Sequence, residues 1–225
     1  MPAVLRVLVL LLSGWAVWMS AEPQRPAIRK NKADFLLVLP APMQQALRRF
    51  DSRFRPRRLI DYPPLMWRPG CTPTPACSER LYKDDSRATP FAVLGFFDDD
   101  NEMDVMVDGD NDVRGRRLVI TTSPTGVVVT EVEGLERIPV AVEASRLVRG
   151  RWRAWTDGVS ESLSFVRAGR YSSPEEAAPL NLSHDGVLVT RTDGRAAIYY
   201  LAEGVWKRYV ISSGRASRRA PSDYR

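Results

Sequence analysis

Histidine occurs once in this chain of 225 residues, as His184, and cysteine twice, as Cys71 and Cys77. Four-coordinate zinc at the cysteine pair would need two further ligands, and a single histidine is too few. A Ser-His-Asp triad would have to use His184. Its neighbours Ser183 and Asp185 are adjacent to it along the chain, whereas a base and its nucleophile must face each other across a site. The histidine of NLSHDGV is expected at a surface or as a cap before a strand. No nucleophile elbow, phosphate-cradling glycine loop or zinc-protease helix is present. No segment returns at a fixed period, which excludes repeat architectures. Lysine is scarce beside arginine, and the formal charge of +6 is scattered through the chain, with short groups at Arg48-Arg49, Arg53 to Arg58 and Arg215 to Arg219. Nucleic-acid recognition needs basic residues gathered on one face or interleaved with exposed aromatics, so no nucleic-acid partner is expected.

What the chain does have begins with residues 1–21, MPAVLRVLVLLLSGWAVWMSA, where basic Arg6 precedes an apolar run that ends in Ser20 and Ala21. This is the layout of a secretory signal peptide, and it predicts a secreted or periplasmic protein. The run is short for a membrane span, and Met19 stands where a small residue is preferred at cleavage. Membrane attachment through an uncleaved leader is the alternative. In an oxidising compartment Cys71 and Cys77, separated by TPTPA, are expected to form a local disulfide. Closing so short a loop adds about 2 kcal/mol and chiefly stiffens it.

Residues 22–33 are polar and read as a linker, and residues 34–211 as a single domain. FLLVL (35–39) predicts a strand. From Ala41 to about Arg53, Met43, Leu47 and Phe50 recur at helical spacing, with Pro42 suited to a first turn. Residues 56–90 read as a long loop pinned by Tyr62, Leu65 and Trp67. After that the pattern is antiparallel β: FAVLG (91–95), DVMVD (104–108), RLVITT (117–122) and VVVTEV (127–132) joined by SPTG, RIPVAV (137–142), and SLSFV (162–166). A terminal meander follows through VLVTR (187–191), AAIYYL (196–201) and VWKRYVI (205–211), with turns at Asp193-Gly194 and Glu203-Gly204. Residues 212–225 read as a disordered tail. The fold class expected is α+β, mainly antiparallel sheet, with one N-terminal helix.

The densest chemistry lies in GFFDDDNEMDVMV, from Gly95. Carboxylates alternate there between apolar strands, and their mutual repulsion calls for a hard cation, water or a cationic partner. The segment resembles the FG-GAP or VCBS type of calcium loop, in which carboxylates at the first, third, fifth and ninth positions and a main-chain carbonyl at the seventh hold the ion. The resemblance covers about fifteen residues and implies a local loop, while a full propeller would need further copies. It makes Asp98 the third, Asp100 the fifth, Glu102 the carbonyl position and Asp104 the ninth, with calcium as the implied cofactor. Phe96 stands in place of the first carboxylate, which removes one charged ligand. Asn101 replaces a turn glycine and tolerates the left-handed conformation. Asp99 or Asp108 could supply the missing oxygen. The other reading of the loop is a hairpin whose carboxylates are solvated or paired with arginines. The second run, Asp108, Asp110 and Asp112, reads as a solvated turn.

A pair of carboxylates for glycan hydrolysis would meet only in three dimensions, and Glu131, Glu133, Glu136 and Glu161 are the candidates. Alternation places Glu131 and Glu133 on one strand face. Trp152, Trp155, Tyr199, Tyr200 and Trp206 fit either a groove for carbohydrate or peptide or ordinary packing. The function expected is that of an exported binding or structural protein meeting a protein or carbohydrate partner at the cell envelope. The alternative is a carboxylate-based envelope hydrolase.

Overall fold

The computed structural model describes residues 25–31, 34–62, 87–135, 161–191 and 193–213. The leader, the Cys71–Cys77 pair, Leu65, Trp67, Glu136, the strand expected at 137–142, Trp152, Trp155 and the tail beyond Ser213 lie outside those residues. Among the described residues no helix is long and apolar enough to cross a membrane.

The fold is α+β: the described residues are mostly antiparallel strand with one α-helix, and they form neither a closed barrel nor a propeller. A first hairpin joins β1 (Ala27–Asn31) to β2 (Asp34–Val38). This corrects the linker reading of residues 22–33: Ile28 and Leu37 lie opposite each other and pack on the core. Helix α1 (Ala41–Phe50) starts at Pro40 with Pro42 in its first turn, where the missing amide costs no helical bond. The Gln44 side chain donates to Leu39 O at 2.6 Å, and Arg48 and Arg49 face the negative end of the helix dipole. The helix stops three residues before the expected Arg53, because Asp51 is extended at φ −153° and accepts from the Asn111 side chain at 2.6 Å.

A six-stranded sheet forms the middle layer. Its main path runs β4 (Ala88–Thr89), β5 (Ala92–Gly95), β6 (Asp104–Asp110), β7 (Gly115–Ser123) and β8 (Gly126–Leu135), with β3 (Arg55–Pro56) paired to the far end of β6. Its strands are apolar on both faces, as burial from both sides requires. Ala92, Leu94, Val105, Val107, Leu118 and Ile120 pack on α1 and the first hairpin, together with fully buried Tyr62. Val93, Met106 and Val119 face the other way, onto a four-stranded sheet. That sheet is ordered β14 (Val205–Ser213), β13 (Arg195–Ala202), β12 (Gly186–Arg191) and β9 (Glu161–Val166). It presents Leu163, Val187, Val189, Ala197 and Tyr199 to the middle layer. Its outer face is covered by a hairpin of β10 (Gly169–Tyr171) and β11 (Leu180–Leu182), two strands too short to leave a periodic signal. Along the outer strand β14 the Val210 N–H donates to Glu176 at 2.9 Å, and the Ser173 hydroxyl donates to Ile211 O at 3.1 Å. The strand reaches Ser213, two residues into the expected tail.

The largest charged side chain in this interior, Arg117, lies wholly buried between the two large sheets. Its Nε and Nη2 donate to the two oxygens of Asp108 at 2.8 and 2.9 Å, Nη1 donates to Glu133 at 2.7 Å, and Nη2 also reaches Glu161 at 3.0 Å. The Tyr199 hydroxyl donates to Glu133 at 2.7 Å, and Arg191 pairs with Glu161 from β12. Burial pushes the pKa of Asp108 up, while the charge of Arg117 pulls it down. The guanidinium is held more firmly charged than usual by Asp108, Glu161 and Glu133, against its own burial. The solvated-turn reading of the second acidic run is therefore corrected: Asp108 and Asp110 belong to β6, and Asp110 is gripped by Arg57 at 2.9 Å. Only Asp112 is exposed, paired with Arg53 at 3.4 Å. Deleting a partner from a buried ion cluster leaves uncompensated charge, so Arg117→Ala is expected to destabilise by about 3–5 kcal/mol. Urea unfolding monitored by tryptophan fluorescence measures this, and a loss under 1 kcal/mol would show that the cluster is dispensable.

Candidate functional site

The acidic hairpin between β5 and β6 stands where the middle sheet meets the turns of the four-stranded sheet. Phe97 anchors it: the ring is fully buried and packs edge-on against Trp206, with centroids 5.4 Å apart and planes at 80°. From there the chain turns outward through Asp98, Asp99 and Asp100 and returns at Asp104, the first residue of β6.

Each loop carboxylate has a distinct setting. Asp104 is fully buried, and its two oxygens accept from the main-chain N–H groups of Phe97 and Thr122, both at 3.2 Å. Burial, and next the charge of Asp98, push its pKa up to about 7 against the pull of those two amides. Asp98 accepts from the Asp100 N–H at 3.1 Å, and burial raises its pKa, with the adjacent Asp100 carboxyl adding to the effect. Asp100 accepts from the Glu102 N–H at 2.7 Å through Oδ1, while its Oδ2 is buried with no hydrogen-bond partner. Asn101 adopts φ +60°, the left-handed conformation expected of it. The side chain of Glu102 is exposed.

The far side of the site comes from the other sheet. Asp185, in the turn between β11 and β12, accepts from the Phe96 N–H at 3.1 Å and donates its own N–H to Phe96 O at 3.0 Å. Arg87 lies 3.6 Å from the same carboxylate and stacks over the Phe165 ring at 3.7 Å. His184, 24% exposed, places Nε2 3.1 Å from Asp99, whose side chain is 97% exposed. Gly95 permits this approach, because a Cβ there would sit 2.5 Å from the Phe97 ring and 3.2 Å from the Asp185 Cβ. Between loop and turns lies an open cleft of about 590 Å³, lined by Asp98, Asp99, Asp100, His184, Tyr200 and Glu203 among others.

Asp98, Asp100 and Asp104 thus share one electrostatic neighbourhood, as their spacing suggested. Among the described residues, however, no three His, Cys, Asp or Glu side chains are drawn together tightly enough to hold a metal ion as they stand. Asp108, a sequence candidate for the missing oxygen, is engaged by Arg117, and Asp99 by His184. The pairing of Glu131 and Glu133 on one face is overturned by an irregularity in β8. Leu118 lies opposite Glu131 but Arg117 lies opposite Glu133, so the two glutamates leave the strand on opposite sides. Glu131 meets Arg114 and Arg116, while Glu133 and Glu161 meet Arg117. Of the aromatics weighed for a groove, Tyr200 lines the cleft, while Tyr199 packs between the sheets and Trp206 against Phe97. The part of Asp185 had no signal in the sequence beyond its place in NLSHDGV, just before an expected strand.

The raised pKa of Asp104 has a definite sign. The folded chain keeps this proton up to about pH 7, whereas the unfolded chain releases it near 3.8. Its contribution to stability is complete below about pH 4 and is lost as the pH rises through 7. Asp104→Asn is expected to lack this decline. Urea titrations of both proteins from pH 4 to 8 test it, and parallel curves would refute the assignment. Comparison of the chain with protein-family models, with curated proteins and with solved structures finds no match in any of the three.

Proposed function

We propose that this chain is an exported binding or structural protein whose acidic hairpin holds a hard cation of the calcium type. The observation that carries the reading is the orphaned acceptor: Asp100 Oδ2 is buried without a partner, beside two other carboxylates whose pKa values are raised. A buried acceptor left unpaired costs about 1–3 kcal/mol, and a cation would offset that cost and the repulsion together. The loop carries donors of the right chemistry, though its carboxylates would have to draw closer together to close on an ion. Asp98 and Asp100 each commit one oxygen to a turn hydrogen bond, Asp104 stands at the ninth loop position, and Glu102 would contribute its main-chain carbonyl. When bound, the ion would supply charge neutralisation and a fixed loop shape.

The leader and the disulfide expected at Cys71 and Cys77 belong to this reading as marks of a secreted or periplasmic protein. A protein or carbohydrate partner at the cell envelope would meet the cleft beside the loop. Of the glutamates weighed for the hydrolase alternative, Glu131, Glu133 and Glu161 are each held by arginines, which disfavours them as a catalytic pair.

Thermal unfolding with calcium or with chelator, at fixed ionic strength, tests the proposal. Calcium at a hundredfold excess over its dissociation constant adds about 2.7 kcal/mol. That is a rise in Tm of roughly 5–10 °C for a domain of this size. Asp98→Asn combined with Asp100→Asn is expected to abolish the rise, and a wild-type midpoint unmoved by millimolar calcium would remove the cation.

A further inference from the structure

We propose that Asp185 is the positioning residue of the acidic hairpin, and that through it the hairpin and strand β12 open and close as one unit. The inference rests on the cation reading above and assigns a residue to that site from outside the loop. Phe96 occupies the place where the resembling loops carry their first carboxylate. In this chain both main-chain polar groups of Phe96 are bound by one residue of another sheet, its N–H by the Asp185 carboxylate at 3.1 Å and its C=O by the Asp185 N–H at 3.0 Å. A complete loop can position its start through its own first ligand. This one is positioned from across the corner.

Asp185 is itself held in place. Its side chain is 14% exposed, Arg87 lies 3.6 Å from the carboxylate, and the same guanidinium stacks on Phe165 of β9 at 3.7 Å. The bare face of Gly95 admits the Asp185 Cβ, so the contact is built from both sides. A second link runs in parallel, from His184 to Asp99. The other end of the hairpin is tied to the middle sheet, where Asp104 accepts from Phe97 and Thr122. Opening the start of the loop therefore has to release Asp185, and the next residue along, Gly186, begins β12, so close to β13 that an added Cβ would lie 3.1 Å from Tyr199 O. Cation binding that stiffens residues 98–104 must, by linkage, also protect β12.

Calorimetric titration with calcium chloride and hydrogen exchange of backbone amides, both on the full chain, test the proposal in the wild type, Asp185→Ala and Asp185→Asn. In the wild type, calcium is expected to slow exchange at least tenfold both in the hairpin and at Val187–Thr190. Asp185→Ala is expected to weaken calcium binding about tenfold and to confine the slowed exchange to the hairpin. Asp185→Asn keeps an acceptor for the Phe96 N–H and is expected to recover most of the affinity and the shared protection. Far-ultraviolet circular dichroism establishes that both variants are folded. Wild-type affinity in Asp185→Ala, an asparagine variant as impaired as the alanine one, or calcium binding that leaves β12 exchange unchanged would each overturn the inference while leaving the cation site intact. A wild type that binds no calcium would bring down both.

Discussion

A guanidinium cannot discard its charge, and that constraint organises the centre of this molecule. Arg117 lies between two sheets with no route to water, so the fold must bring carboxylates to it. Asp108 comes from the neighbouring strand, Glu133 from the next one, and Glu161 from the opposite sheet. The cluster thereby fixes several things together. It sets the register of β6 against β7, because Asp108 and Arg117 are direct cross-strand partners. It requires the irregularity in β8, without which Glu133 would face away. It also joins the two layers, through Glu161 to Arg117 and through Tyr199 to Glu133.

The acidic hairpin depends on this arrangement without belonging to it. Both centres lie along β6, four residues apart, and side chains at even spacing on a strand share a face, so Asp104 and Asp108 both point toward the inter-sheet side. One is neutralised by an arginine. The other has only amides and carboxylates around it, and its burial is correspondingly unfavourable to charge. One strand thus carries two buried aspartates in opposite electrostatic settings: Asp108 is compensated by an arginine within the fold, and Asp104 is not, so burial raises its pKa.

Much of the architecture was legible in the sequence, because its periodicities are local. Helix α1, the strands from β5 through β9 except for their exact ends, and the closing meander all follow from alternation, helical spacing and turn chemistry. Of the hairpin β1–β2 only β2 was read, as FLLVL, and the hairpin β10–β11 was not read at all. Strand β1 was hidden by the basic and polar residues of RKNK, and the second hairpin by strands of three residues. At the site, the spacing of Asp98, Asp100 and Asp104 pointed to neighbouring carboxylates, and Asn101 to a left-handed turn, and both are seen. The roles of Asp108, Glu133, Glu161 and Asp185 come from pairings over separations of 9 to 89 residues. Alternation assigned Glu131 and Glu133 to one face, and a single unpaired residue reversed that assignment. Spacing predicts where a side chain starts, while its charge partner is decided by topology.

The outer strand β14 carries a last consequence. A nine-residue strand at the margin of a sheet is a template on which another chain can assemble. Here Glu176 occupies the Val210 amide, and Ser173 donates to the Ile211 carbonyl, so the C-terminal half of that margin is already hydrogen-bonded to side chains of its own chain. The Glu176 and Ser173 side chains thus occupy part of the margin on which another strand would pair, and they close off the sheet that carries half of the cleft.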